Sequence, residues 1–163
     1  RSPIGYITFT PLELPRKEDH RFTRNHRLVQ LDRLSCLLII DQISVLIGEG
    51  GSGGALAIAA GNEVWMMEHS TYAILSPEGY SAILWKTESR AEEAAKIMKL
   101  TAQDLAELHV IERIIPEFGG ATAETAARIA PVMHSAILDF LKRYDHMSPE
   151  DILQDRYSRF RKF

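Results

Sequence analysis

The chain has 163 residues, 45% of them hydrophobic and 25% charged, with 19 Lys and Arg against 22 Asp and Glu for a formal net charge of -3. That length and balance suit a single soluble globular domain, residues 1–163, with room for a sizeable core. The slight acidity excludes a basic nucleic-acid-binding face and a polybasic membrane anchor.

No apolar run approaches the ~20 residues that span a bilayer. The opening Arg1-Ser2-Pro3-Ile4-Gly5 lacks the basic-then-apolar form of a signal peptide. The single cysteine, Cys36, excludes an internal disulfide and, set in an apolar run, reads as buried packing. The expectation is a cytoplasmic protein.

Residues 4–9 have a strand-like pattern, Pro11 and Pro15 break the chain, and Arg16 to Arg27 is a charged stretch that reads as a solvated face. Leu37 to Ile40 and Ile43 to Ile47 are apolar strand-like runs separated only by Asp41-Gln42. Parallel neighbours need a crossover of about a dozen residues, and a two-residue hairpin favours turn residues such as Asn-Gly. Either residues 37–47 form one long strand, or a loop is missing between Asp41 and Gln42.

Five glycines in seven residues follow, Gly48-Glu49-Gly50-Gly51-Ser52-Gly53-Gly54, and then Ala55 to Ala60. The pattern predicts strand, glycine turn and short helix, with Gly61-Asn62 as the C-cap. Backbone N–H groups without Cβ atoms in the way can approach a ligand closely, and at a helix start they are unpaired and at the positive end of the macrodipole. Such a turn suits a phosphate or a developing oxyanion. The plainer alternative is a close helix–strand packing turn with no ligand.

Glu63 to Met67 and Thr71 to Leu75 read as short strands, Ser76-Pro77-Glu78-Gly79 as a turn, and Glu88 to Met98 as a helix. Thr101 to Asp104 starts another helix ending near Leu108, and Val110 to Ile115 reads as a strand. A long helix over Thr122 to Tyr144 lines up Ala126, Ile129, Ala130, Met133, Ile137 and Leu141 on one face. Ser148-Pro149 begins a last helix with its basic residues late. Trp65, Trp85, Met66 and Met67 read as core, and His69 as a surface or satisfied core histidine. Alternating strands and helices make the class α/β.

These residues resemble the carboxyltransferase alpha subunit of bacterial acetyl-CoA carboxylase. The resemblance runs through Gly48 to Ala57, Ser70-Thr71-Tyr72-Ala73-Ile74-Leu75-Ser76-Pro77-Glu78-Gly79, Ile83-Leu84-Trp85-Lys86, Met98 to Leu105 and Gln154-Asp155-Arg156-Tyr157. It implies a crotonase-like fold of repeated ββα units with C-terminal helices. It also implies transfer of a carboxyl group from carboxybiotin, carried on the biotin carboxyl carrier protein, to acetyl-CoA, giving malonyl-CoA. The implied partner is a beta subunit, which carries the zinc, in a heterotetramer of two alpha and two beta subunits. This chain would bind neither biotin covalently nor a metal, and neither nucleic acid nor membrane.

By the same resemblance, the peptide N–H groups of Gly53 and Gly54 form an oxyanion hole, and Gly50, Gly51, Ser52, Glu78 and Gly79 line the substrate site. Leu56 stands where hydratases of the superfamily place a catalytic glutamate, which disfavours a hydratase. Glu78 matches a second hydratase carboxylate, with a structural role equally open.

The resemblance breaks at Asp41/Gln42, where the family has an Asp-Thr-x-Gly-Ala-Tyr-Pro-Gly loop, and in residues 1–36. The sequence is therefore expected to join pieces of a longer chain. Gly119-Gly120-Ala121-Thr122 lacks the His that the family places after Gly-Gly-Ala. Two other readings remain open: a non-catalytic subunit that binds an acyl-CoA or a partner, and a dinucleotide-binding domain. The latter rests on Gly48-x-Gly50-x-x-Gly53 with Glu68 about 20 residues on.

Overall fold

Every residue of the segment Glu63–Met67 is buried, and it forms the strand β4. A strand covered on both faces needs such a continuous apolar run and parallel neighbours. In the computed structural model, which describes residues 5–8 and 41–162, β4 lies between β2 (Ile43–Ile47) and β6 (Arg113–Ile115), both parallel to it. β1 (Gly5–Thr8) pairs antiparallel with the far side of β2, giving the order β1-β2-β4-β6. The register sets Val45 beside Trp65 and Met67 beside Ile115.

Alternation across the pleat divides the core. One face carries Val45, Trp65, Met67 and Ile115, packed against Ile129, Ala136, Phe140 and Tyr144 of α5 (Ala123–Tyr144) and Ile152 of α6 (Pro149–Phe160). The other carries Leu46, Val64 and Met66, covered by Ala59, Ile111, and Ala102 and Leu105 of α4 (Ala102–Glu107). The α5 face differs from the sequence stripe. Ile129, Met133 and Ile137 do pack inward, but Ala126, Ala130 and Leu141 are exposed while Phe140 and Tyr144 are buried. Phe140 meets the Trp65 ring edge-on at 6.2 Å. Burying two aromatic rings removes far more apolar surface than burying alanine methyls, and that rotates the helix.

Two ββα units follow one another. In the first, β2 leads to β3 (Glu49–Gly51) and α1 (Ser52–Ile58); in the second, β4 leads to β5 (Thr71–Ala73) and α2 (Pro77–Trp85). The first strand of each unit joins the four-stranded sheet, and the second joins a two-stranded parallel sheet, β3-β5. α3 (Ala91–Met98) packs on α2.

Several elements differ from expectation. Ser76 to Gly79 is the capped start of α2, not a free turn. The final strand is shortened to Arg113–Ile115 because Val110 and Ile111 close the end of α4, their N–H groups both donating to the Leu105 carbonyl. Trp85 is half-exposed, not core, with Arg90 stacked 3.9 Å from its ring centroid. Gly61 is not a left-handed C-cap; a Cβ there would press on the Gln42 carbonyl at 3.0 Å. That close approach lets the carbonyl accept from both Asn62 N and Glu63 N. β2 begins at Ile43, with Asp41 and Gln42 outside it, while residues 37–40, Cys36 and the charged stretch 16–27 lie outside the described residues.

A buried polar network ties the C-terminal helix to the sheet. The Asn62 side-chain oxygen accepts from Gln42 N at 3.2 Å and from Arg156 Nη2 at 2.7 Å. Its Nδ2 donates to the Ile152 carbonyl at 2.9 Å and to Asp155 at 3.3 Å. Tyr144 Oη donates to the same Asp155 carboxylate at 2.6 Å. Burial, and then the Asp155 carboxylate, push the Tyr144 phenol above the usual range.

Asn62→Ala leaves buried donors and acceptors unpaired and should cost about 2–4 kcal/mol, read by urea unfolding; a loss below ~1 kcal/mol contradicts the network's role. Tyr144 also makes stability fall with alkali. The folded chain holds the phenolic proton more tightly than the unfolded one, so this contribution is complete below the unfolded pKa of about 10 and declines as pH rises beyond it. Tyr144→Phe should flatten that alkaline slope in thermal melts.

Candidate functional site

The glycine segment starts where β2 stops. Gly48, at φ 76°, turns the chain out of the four-stranded sheet, a conformation that glycine adopts without a Cβ penalty. Its carbonyl accepts from Thr71 N at 2.8 Å, which sets the β3-β5 register of Glu49 to Thr71, Gly50 to Tyr72 and Gly51 to Ala73. Gly50 is buried, and a Cβ there would overlap Leu46 Cδ2. Its glycine is required by packing.

Gly51 is the N-cap of α1, and Ser52 follows at φ 64°, an unusual conformation for a residue with a side chain. Gly53 is different again. It is exposed, has no positive φ, and a Cβ there would meet nothing within 4 Å. Glycine in a helix costs up to about 1 kcal/mol against alanine, and nothing in the described structure requires it at 53.

The first-turn N–H groups of α1 lack i−4 partners, as at any helix start. No side chain caps them, and the first turn holds no acidic residue. Every other described helix carries an acid there: Glu78 in α2, Glu92 and Glu93 in α3, Asp104 in α4, Glu124 in α5, Glu150 and Asp151 in α6. The amino end of α1 is left electropositive and open, which favours an anion.

Parallel pairing brings the second predicted segment to the same place. β3 runs into α1 and β5 runs into α2, so both helices start at the same edge of the two-stranded sheet. In α2, Ser76 Oγ accepts from Gly79 N at 3.1 Å, Pro77 opens the helix, and Glu78 is exposed in its first turn. Gly79 is closely packed, its Cβ position lying 3.3 Å from Leu75 Cδ1. The parallel register thus puts Gly50 to Gly54, and three residues past the end of β5 the α2 start with Glu78 and Gly79, at the carboxyl end of the same two-stranded sheet, with Gly50 and Gly79 serving the scaffold there.

One cluster was not legible in the sequence. Past the carboxyl ends of β4 and β6, His69 Nδ1 lies 2.9 Å from Glu117 Oε2, and Glu117 N donates to Glu68 Oε2 at 2.8 Å. His69 is a surface histidine oriented by a buried glutamate; the 48-residue separation hid the pair. His69 precedes Thr71, whereas Ser52 follows Gly51 at the other end of the β3-β5 ladder, roughly 10 Å away along the strands. The register therefore keeps Ser52 and His69 apart.

The dinucleotide fingerprint also dissolves. Gly48 precedes the extra strand β3 and Gly50 lies inside it, so the three glycines do not form one phosphate-binding turn. Glu68, the candidate ribose acid, is already engaged by Glu117 N. Among the described residues no group of three or more His, Cys, Asp or Glu could hold a metal, and no helix is long and apolar enough to cross a membrane.

A family model described as "Acetyl co-enzyme A carboxylase carboxyltransferase-like" matches residues 29–163. Among similar proteins, the acetyl-coenzyme A carboxylase carboxyl transferase subunit alpha of Streptococcus thermophilus is 49% identical over 121 residues, covering 74% of this chain and 46% of the relative. The proteins of that name from Streptococcus equi subsp. zooepidemicus and Clostridium perfringens are 50% and 46% identical, over 121 and 124 residues. The chain spans about half the length of these relatives, 46% in each case, as expected of a sequence with segments missing. The ββα units, parallel sheets and C-terminal helices agree with the crotonase-like fold.

Gly50→Ala should destabilise by about 1–3 kcal/mol through overpacking. In a Leu46→Ala background the added methyl should cost much less, and a double-mutant cycle measured by denaturant unfolding reads that coupling. Additive effects would remove the packing account of Gly50.

Proposed function

Because the chain belongs to the acetyl co-enzyme A carboxylase carboxyltransferase-like family, we propose that it supplies alpha-subunit machinery for carboxyl transfer from carboxybiotin to acetyl-CoA, yielding malonyl-CoA for fatty acid synthesis in the cytoplasm. The observation that carries the reading is Gly53, a glycine with open space above it in the uncapped, acid-free first turn of α1. A glycine that neither packing nor backbone conformation requires leaves room for something outside the described chain.

Both halves of this reaction place negative charge on oxygen, at the biotin ureido group and at the thioester enolate. The N–H groups of Gly53 and Gly54 are the donors assigned to such an oxygen. One preorganised donor of this kind contributes roughly 3 kcal/mol. Gly51 and Ser52 lead the chain into that turn, and the exposed carboxylate of Glu78 marks the neighbouring helix start. In this reading the carrier protein delivers biotin covalently, the beta subunit contributes the zinc and the remaining wall of the site, and this chain holds neither group itself.

Gly53→Val tests the assignment. Assayed with a beta subunit and carboxybiotin, the variant should lose at least about 100-fold in carboxyl transfer with an unchanged circular dichroism spectrum, since the position is sterically open. Retained activity would remove the oxyanion-hole assignment. Parent protein that binds acyl-CoA but never turns over in that mixture would replace catalysis with a binding role.

A further inference from the structure

The amino-terminal edge of the four-stranded sheet carries a cleft that the glycine site does not use. It has a volume of about 600 Å³ and lies between the α4–β6 loop and the ends of α5 and α6. Glu63 and Arg113, the first residues of β4 and β6, line it. Since β2, β4 and β6 are parallel, this cleft and Gly48, which follows the last residue of β2, lie at opposite ends of the strands.

Four cations, Arg113, Arg143, Arg159 and Lys162, line the cleft against two carboxylates, Glu63 and Glu112. Both carboxylates are committed to fixed partners. Glu63 accepts from the Trp65 indole at 2.6 Å and pairs with Arg143. Glu112 accepts from Val64 N at 2.7 Å and from Arg159 Nε at 2.6 Å. Arg159, only 7% exposed, is further fixed by donating Nη2 to the Val110 carbonyl at 2.7 Å.

Arg113 and Lys162 form no ion pair with a described carboxylate. Arg113 instead lies 5.3 Å from the Trp65 ring centroid, a contact that orients the guanidinium without neutralising it. Basic residues in the last turns of α5 and α6 complement the helix macrodipoles, but Arg113 stands on a strand and that account does not cover it. In a chain of formal net charge -3, a cleft whose described lining holds more cations than carboxylates concentrates anions.

We propose that this cleft binds a small molecule bearing a di- or triphosphate, with Arg113 and Lys162 as the cations that pair with no carboxylate among the described residues and Arg143 and Arg159 as a pre-positioned guanidinium wall. Planar guanidinium groups match phosphate oxygens in pairs, and the volume falls in the range of small-molecule sites, ~300–1,000 Å³, well beyond a single phosphate. Free polyphosphate and the phosphate end of a nucleotide share this chemistry.

Isothermal titration of the full-length protein with inorganic pyrophosphate, ADP and citrate tests the site without any reference to carboxyl transfer. One pyrophosphate site is expected, weakening as salt rises. Lys162→Gln, beyond the last helix and exposed, and Arg113→Gln should each weaken it about tenfold. Lys96→Gln, which removes an equal charge from the α3 surface, should leave it unchanged. ADP binding tighter than pyrophosphate supports a nucleotide as the occupant, and equal affinity supports a bare polyphosphate. Absence of binding at millimolar pyrophosphate, citrate binding as tightly as pyrophosphate, or indifference to both Lys162→Gln and Arg113→Gln overturns the proposal.

Discussion

The buried side chain of Asn62 sets what the rest of the molecule can do. An amide taken out of water is costly unless its donors and acceptors are met, and this one is met by groups from two other parts of the chain, so that three segments are joined. Gln42 N precedes β2, Asn62 itself precedes β4, and the Ile152 carbonyl, Asp155 and Arg156 belong to α6. Fixing the amino ends of β2 and β4 fixes their register, Ile43 beside Glu63 and Leu46 beside Met66. In parallel strands that also fixes where the carboxyl ends emerge, and therefore where the glycine segment leaves the sheet. A polar clamp at one end of the strands thus determines the geometry of the candidate site at the other.

The glycines at that site divide their labour. Gly48 makes a left-handed turn, Gly50 lets β3 lie against Leu46, Gly51 caps the helix, and Gly53 leaves space open. Gly53, inside the first helical turn, has neither a packing nor a conformational reason among the described residues. This is why a glycine-rich string by itself is weak evidence for a ligand: packing and backbone conformation each use glycine, and they must be subtracted before a site is inferred.

The boundaries most legible in the sequence were those set by local chemistry. Thr101, Thr122 and Ser148 each cap the helix that their sequence context announces, accepting from the N–H groups of Asp104, Thr125 and Asp151. Glu63 to Met67 reads as a strand because its whole run is apolar after Glu63, and the structure buries all of it. What failed depended on distant partners. The α5 face is set by Trp65, 75 positions before Phe140, and a periodicity count that weights alanine and phenylalanine alike cannot see it. Gly61 reads as a helix cap in sequence, whereas its glycine is set by the Gln42 carbonyl, distant in the chain and outside any local pattern. The pairing of β3 with β5 was invisible for a similar reason: three-residue strands carry no period of their own.

That pairing gives the candidate site its electrostatic character. Two helices follow the carboxyl ends of the paired strands, but they are not equivalent. α2 has Ser76 as its cap and Glu78 in its first turn, which satisfy and partly neutralise its amino end. α1 has neither a side-chain cap nor an acid. At seven residues α1 is short, yet the field at a helix start arises chiefly from unpaired N–H groups of the first turn and falls off within it, so length costs it little. The amino end of α1 is therefore more electropositive than that of α2. The fold achieves this by leaving out two common stabilising devices at one helix, at a position where the clamp on Asn62 and the packing of Gly50 against Leu46 hold the turn in place.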